Sequence, residues 1–412
     1  MFTEKVIEYA SNPYILAGIS ALLAYWASAK LQPVIILLSQ QKNLMDEPEA
    51  RSSHVSRVPT YGGAAMFIVF SILVLSLTGF VGVPQESLNQ GMSLIAAISI
   101  LFFLGIKDDM VGLAPSKKFL GQLLAACLVI FIGGMRIVSL DGIFGLGELP
   151  YMVSVVFSIF VYLLMVNAYN LIDGIDGLAG VIALIGTLIF GWFFLVDGNT
   201  AMAIISFVLV GTVLGFLKFN LSDTRKLFMG DSGSLFIGFL LAYQAIAFLN
   251  ANQAGNPGAF VSNAPVIVLT IFSFPLLDTL RAFALRALRG RSPFSPDRNH
   301  IHHHLVDKGM AHKQATTLIA TKSLLMITVA WMLQDIAIHV HLLFMVALGF
   351  VIYLIDLAFR RRITTSVNEI LETKADEAKQ KLQERRSQTM VRAANEAEKR
   401  AESLRKTTAT GD

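Results

Sequence analysis

Eleven apolar runs alternate with short polar stretches along the chain, near 14–38, 61–79, 92–106, 119–135, 151–169, 178–196, 201–217, 233–250, 264–283, 317–335 and 338–358. An α-helix needs about 20 such residues to cross a bilayer. The pattern predicts an all-α polytopic membrane protein of about eleven transmembrane helices, with 92–106 and 201–217 among the shorter runs. The first run follows no cleavable signal pattern and is expected to stay as a span. Residues 1–358 form the expected transmembrane domain. Residues 359–412 form a charged tail, helical or disordered, whose apolar positions are too sparse for a sustained heptad.

Composition agrees with the pattern. The 412 residues are 54% hydrophobic and 15% charged, with a mean hydropathy of +0.62, against about 25% charged in an ordinary soluble protein. The single cysteine, Cys127, sits in an apolar run and allows no intrachain disulfide. No inverted repeat is evident.

The net charge of +4 says less than its distribution. The loops at 39–60, 107–118, 218–232 and 284–316 hold 15 Lys and Arg, whereas those at 80–91, 136–150, 197–200 and 251–263 hold only Arg136. Basic loops stay on the cytoplasmic side. This predicts an outside (periplasmic) N-terminus and a cytoplasmic C-terminus, anchored by Arg360, Arg361 and Arg362. On the same face fall Asp108 and Asp109, the cluster from Asn170 to Asp176, Asp231, and the segment from Asp297 to His304. Ionisable groups at helix ends suit a surface site for an anionic, water-soluble substrate better than a mid-membrane transport path.

Four stretches carry the candidate chemistry. NAYNLIDGIDGLAG, residues 167–180, sets Asn167, Asn170, Asp173 and Asp176 among glycines that allow close backbone approach. Asp108 and Asp109 are adjacent, so on a helix they point about 100° apart and serve different partners; Lys117 and Lys118 follow closely enough to oppose phosphate charge. KLFMGDSGSLFIGF, residues 226–239, puts Asp231 in a small-residue turn entering an apolar run, where a carboxylate could take a divalent cation. SPFSPDRNHIHHHL, residues 292–305, gathers Asp297, Arg298, His300, His302, His303 and His304. The imidazoles suggest zinc, but the absence of a cysteine or H-E-x-x-H partner favours phosphate contact, and carboxylate with amide favours magnesium. Hard oxygen donors, lysines and histidines without an activated serine or cysteine suit metal-assisted phosphoryl transfer. A transporter of a phosphorylated sugar or lipid and a structural scaffold are the alternatives from other classes.

With FLGIKDDMVGL and DRNHIHHHL added, the four motifs resemble, in order, those of the polyprenyl-phosphate N-acetylhexosamine-1-phosphate transferases, over about residues 10–358. The HIHHHL form and the span count look most like the WecA-type undecaprenyl-phosphate GlcNAc-1-phosphate transferases. The resemblance implies transfer of GlcNAc-1-phosphate from UDP-GlcNAc to undecaprenyl phosphate in a bacterial inner membrane, with release of UMP, as the first step of a lipid-linked surface glycan. It implies Mg²⁺, with Mn²⁺ as a substitute, held at Asn170 and Asp231. Asp108 and Asp109 match the acidic pair near the lipid phosphate, Lys118 and its neighbour Lys117 the basic residues beside it, and Asp173 and Asp176 positions near the nucleotide. In the family's scheme Asp108, Asp109, Asp176, His302 and His303 fall among catalytic positions, and Asn167, Asp297, Arg298, His300 and His304 among substrate-binding ones. The loop at 284–316 would recognise the sugar, and another UDP-HexNAc donor is the nearest alternative. Membrane lipid is an expected partner and a homodimer an allowed assembly; no nucleic acid is expected.

Overall fold

The computed structural model describes residues 12–42, 45–46, 58–256, 258–290 and 300–358. Its helices are α1 (Pro13–Gln41), α2 (Gly62–Val81), α3 (Gln85–Val111), α4 (Pro115–Phe131), α5 (Tyr151–Ile172), α6 (Leu178–Asp197), α7 (Thr200–Asn220), α8 (Gly230–Ala254), α9 (Ala264–Ile271), α10 (Ser273–Leu288), α11 (Ile301–Asp307), α12 (His312–Met332) and α13 (Ile338–Ala358). Two short strands, β1 (Met45–Asp46) and β2 (Val58–Pro59), pair antiparallel. Local chemistry marks several boundaries: the Asn12 side chain accepts the Tyr14 N–H at 3.0 Å before α1, and Asn199 accepts the Met202 N–H at 3.1 Å before α7.

All eleven predicted apolar runs lie on helices. Among the described residues, eight helices are long and apolar enough to cross a membrane, or nine if the bent pair α9 and α10 counts as one span. Neither α3 nor α4 is among them, and α4 has only 17 residues. The predicted straight span at 264–283 is bent instead, by 69° between α9 and α10. Pro275 accounts for the break: it has no N–H for the Ile271 carbonyl, and its ring would clash with that turn. The second arm runs on to Leu288, so part of the predicted cytoplasmic loop at 284–316 is helix.

The bundle is built around α8. Every residue in its apolar window is buried, against 22% for α1 and 33% for α2, as expected of a helix that is apolar on all sides and enclosed by others. Helices α2, α3, α5 and α6 pack on it, and α1 packs on α7 outside them. Inside, the fully buried Gln244 of α8 bonds Thr187 of α6 at 2.7 Å and Ser206 of α7 at 2.8 Å, satisfying polar groups where no water competes.

The first turn of α8 is held most tightly. A Cβ on Gly105 of α3 would lie 2.4 Å from Ser232 Cα, and one on Gly63 of α2 would lie 2.3 Å from the Gly233 nitrogen. Backbone bonds add to this contact: Phe228 N–H donates to the Pro59 carbonyl at 2.8 Å, and Gly62 N–H to the Phe228 carbonyl at 3.0 Å. Replacing Gly105 by Ala sets a methyl against backbone that cannot yield, and should destabilise by roughly 1–3 kcal/mol. Gly79, whose Cβ would meet nothing within 4 Å, should tolerate Ala with unchanged or raised stability; melting temperatures in detergent compare the two.

Candidate active site

Three of the sequence motifs converge on the first turn of α8. Its leading N–H groups lack a cap from the preceding residue, and Asp109 supplies one from α3: Oδ1 accepts the Asp231 N–H at 2.9 Å and Oδ2 the Ser232 N–H at 3.1 Å. A carboxylate at a helix N-terminus satisfies unpaired donors and the positive end of the helix dipole together. Its neighbour Asp108 faces elsewhere. One Asp108 oxygen accepts the Leu113 N–H at 2.6 Å and the other is paired with Lys118.

Lys118, near the start of α4, links the acids. Its ammonium also bonds Asp231 Oδ2 at 2.9 Å. The other Asp231 oxygen accepts from Asn170 Nδ2 at 2.8 Å, and Asn170 reaches Ser234 at 2.8 Å. Asn167, one turn earlier on α5, donates to Gln122 of α4 at 2.8 Å. Asn170, Asp231, Lys118, Asp108 and Asp109 thus form one connected network. Lys117 is exposed and outside it.

A cavity of about 640 Å³ opens beside this network. Lys118, Asn167, Asn170, Asp173, Arg286, His300 and His303 give it a polar wall, while Leu113, Phe119, Leu171, Leu235 and Phe283 give it an apolar one. The histidine segment therefore divides: His300 and His303 line the cavity, whereas His302 and His304 are buried away from it. The His302 ring lies against Gly174, where a Cβ would come 2.3 Å from Nε2, and neither ring nitrogen has a hydrogen-bond partner among the described residues. Burial, then the neighbouring His303, holds this imidazole well below its usual pKa, hence neutral. Asp297 and Arg298 lie outside the described residues.

The turn between α5 and α6 carries the remaining acids. Asp173 lines the cavity; burial and then the charges of Asp231, Asp109 and Asp176 push its pKa well above the usual carboxylate range. Burial also pushes Asp176 upward, but His312 and Lys226 outweigh it and hold the carboxyl below that range. Both partners meet Asp176 Oδ2, His312 Nδ1 at 2.8 Å and Lys226 Nζ at 2.6 Å, while the buried Oδ1 has no hydrogen-bond partner among the described residues.

Sequence reasoning missed His312, Gln122, Arg286 and Asp278. The last pairs with His300 at 2.8 Å from within an apolar run; an ionisable residue in such a run was the available signal. His312 had none, because its partner is 136 residues away and α12 starts five residues before the predicted span.

Among the described residues, no group of three or more His, Cys, Asp or Glu side chains could hold a metal ion. The donors at Asn170 and Asp231 still fit a hard cation. Asn170 bonds through its amide nitrogen, leaving its oxygen beside a carboxylate, and Mg²⁺ commonly takes one or two protein oxygens with water and substrate phosphate completing the shell. Zinc, which takes three or four nitrogen or sulfur-rich ligands, does not fit this donor set.

Residues 91–249 match the family described as Glycosyl transferase family 4. The chain is 33% identical over 321 residues to decaprenyl-phosphate N-acetylglucosaminephosphotransferase of Mycolicibacterium smegmatis, covering 74% of this chain and 78% of that protein. The Mycobacterium leprae protein of the same name is 33% identical over 322 residues, covering 74% and 79%. Undecaprenyl-phosphate alpha-N-acetylglucosaminyl 1-phosphate transferase of Escherichia coli (strain K12) is 30% identical over 302 residues, covering 71% and 77%. The family match includes Asp108, Asp109, Lys118, Asn170 and Asp231. Removing the tertiary cap with Asp109→Ala should lower stability by roughly 0.5–2 kcal/mol, the range of a lost N-cap; Asp108→Ala, which leaves Lys118 bonded to Asp231, should lower the melting temperature less.

Proposed function

Because the chain belongs to the polyprenyl-phosphate N-acetylhexosamine-1-phosphate transferases of glycosyl transferase family 4, we propose that it transfers GlcNAc-1-phosphate from UDP-GlcNAc to undecaprenyl phosphate, releasing UMP. The observation that carries this reading is the junction of Lys118, Asn170 and Asp231 beside a cavity also lined by His300, His303 and Arg286. Such a cavity offers cationic and imidazole donors to a diphosphate next to hard oxygens for a cation.

An oxygen of the lipid phosphate attacks the phosphorus bearing the sugar, and the bond from that phosphorus to the UMP oxygen breaks. One phosphoanhydride replaces another, so the reaction runs near equilibrium. A phosphate monoester with its second pKa near 6 is mostly dianionic at neutral pH. Asp108 therefore orients the acceptor with Lys118 rather than acting as a strong base. Lys118 offsets the repulsion between the two anions, and His303 and Arg286 bind the diphosphate of the donor. Asp173 and Asp176 sit toward the nucleotide, Asp173 on the cavity wall and Asp176 held by His312 and Lys226. Mg²⁺ held by Asn170 and Asp231 would supply charge neutralisation of the leaving group.

A topology of eleven spans, with the site on the cytoplasmic face of a bacterial inner membrane and the N-terminus outside, is part of the same proposal. Its support is the basic-residue asymmetry of the loops. A reporter fused after Lys308 should read as cytoplasmic and one within 251–263 as external; the reverse would contradict access to a cytoplasmic nucleotide.

A second reading concerns the acceptor. The mycobacterial relatives are named for decaprenyl phosphate and the enterobacterial one for undecaprenyl phosphate, at similar identity. Both lipids present the same phosphate to the polar network.

Purified protein with Mg²⁺ and either lipid should release UMP from UDP-GlcNAc faster than from UDP-GalNAc or UDP-MurNAc-pentapeptide. Preference for another donor keeps the reaction and overturns the substrate. Asp231→Asn keeps the shape and loses the anionic ligand, so activity should fall by about 10²-fold or more, an electrostatic loss of the size seen for key transition-state contacts, and the Mg²⁺ requirement should rise. Normal turnover with wild-type Mg²⁺ dependence would remove the metal assignment.

A further inference from the structure

Asp278 is fully buried on α10, outside the four sequence motifs, yet three groups converge on it. His300 Nδ1 lies 2.8 Å from Oδ2, the Ile301 N–H donates to Oδ1 at 2.9 Å, and Arg281 approaches Oδ1 at 3.5 Å. Burying a carboxylate costs several kcal/mol unless its lone pairs are well satisfied. Here two of the three partners are the ring and the backbone of one short segment whose His300 and His303 line the cavity.

The far side of the ring matters for the chemistry. His300 Nε2 lies 3.4 Å from Arg286 Nη2, and both side chains line the cavity. A guanidinium has only donors. A ring protonated at Nε2 would set donor against donor there, whereas a ring protonated at Nδ1 donates to Asp278 and accepts from Arg286.

We infer that Asp278 is a positioning residue: it fixes His300 as the Nδ1–H tautomer, and the bare Nε2 in turn holds the Arg286 guanidinium at the cavity for the diphosphate of the donor nucleotide. The inference rests on the transferase reading for its ligand, but its tautomer assignment does not. A carboxylate that only pinned Ile301 to α10 would stabilise the fold without setting the ring.

The first measurement needs no activity. In full-length protein labelled with ¹⁵N at histidine, with the His300 signals assigned by their loss in His300→Gln, Nδ1 should carry the proton and Nε2 should be bare. A proton on Nε2 overturns the inference whatever the enzyme does. The second is a double-mutant cycle read by steady-state kinetics. Asp278→Asn keeps an acceptor for Ile301 but presents its NH₂ to the ring and favours the other tautomer. It should raise the donor KM by about tenfold, the order expected from one lost hydrogen bond to a charged group, with kcat changed less than about threefold on the same scale. In an Arg286→Gln background the same change should add less than about twofold, because the group it positions is gone. Equal, additive losses in both backgrounds, or a fall in kcat at constant KM, overturn the positioning role. A wild-type protein that releases no UMP from any donor refutes the transferase reading instead, and the tautomer result then decides the Asp278 assignment alone.

Discussion

The start of a buried helix has backbone N–H groups with no partner in the preceding turn, and in an apolar bundle they cannot turn to water. Helix α8 meets this constraint at the centre of the molecule. Asp109 resolves it from another helix, and glycines at 63 and 105 let the neighbouring backbones close on the same turn. That packing decides where Asp231 stands. Once Asp231 is placed, Lys118 and Asn170 are within bonding distance of its two oxygens, and the polar wall of the cavity follows.

Charge balance explains why such a cluster is useful rather than merely tolerated. Asp108, Asp109, Asp173, Asp176 and Asp231 lie close enough for several to repel one another, and Asp173, whose pKa burial raises first, is raised further by Asp231, Asp109 and Asp176. Lys118 and Lys226 answer part of that charge. Two anionic substrates brought to the same place would add to the repulsion. A divalent cation held by Asn170 and Asp231, as proposed, would let the acids and the anions share the site.

Much of this was legible because cost is local. Amides and acids at the ends of apolar runs are expensive there, so Asn170, Asp231 and Asp108 stood out as residues, and their motifs pointed to one family. The adjacent acids diverge as helical geometry requires, one to the start of a helix and one to a lysine. What was not legible depends on partners distant in sequence. The two members of the His312–Asp176 pair belong to different helices, and the burial of His302 depends on Gly174, more than a hundred residues earlier. The bend at Phe272 was written in Pro275, but the apolar run that continues past it masked it. The eleven apolar runs fall on helices, and among the described residues eight of these helices, or nine with the bent pair, are long and apolar enough to cross a membrane; α4, with 17 residues, is too short to be among them.

The central claim is that a phosphorylated sugar, and not the sugar alone, moves to the lipid. UDP-GlcNAc labelled with ³²P at the phosphorus bearing the sugar separates the two in one assay with purified protein, polyprenyl phosphate and Mg²⁺. The account predicts that the label partitions into the lipid product while unlabelled UMP appears in the aqueous phase. Label leaving as UDP, with sugar alone on the lipid, would contradict it.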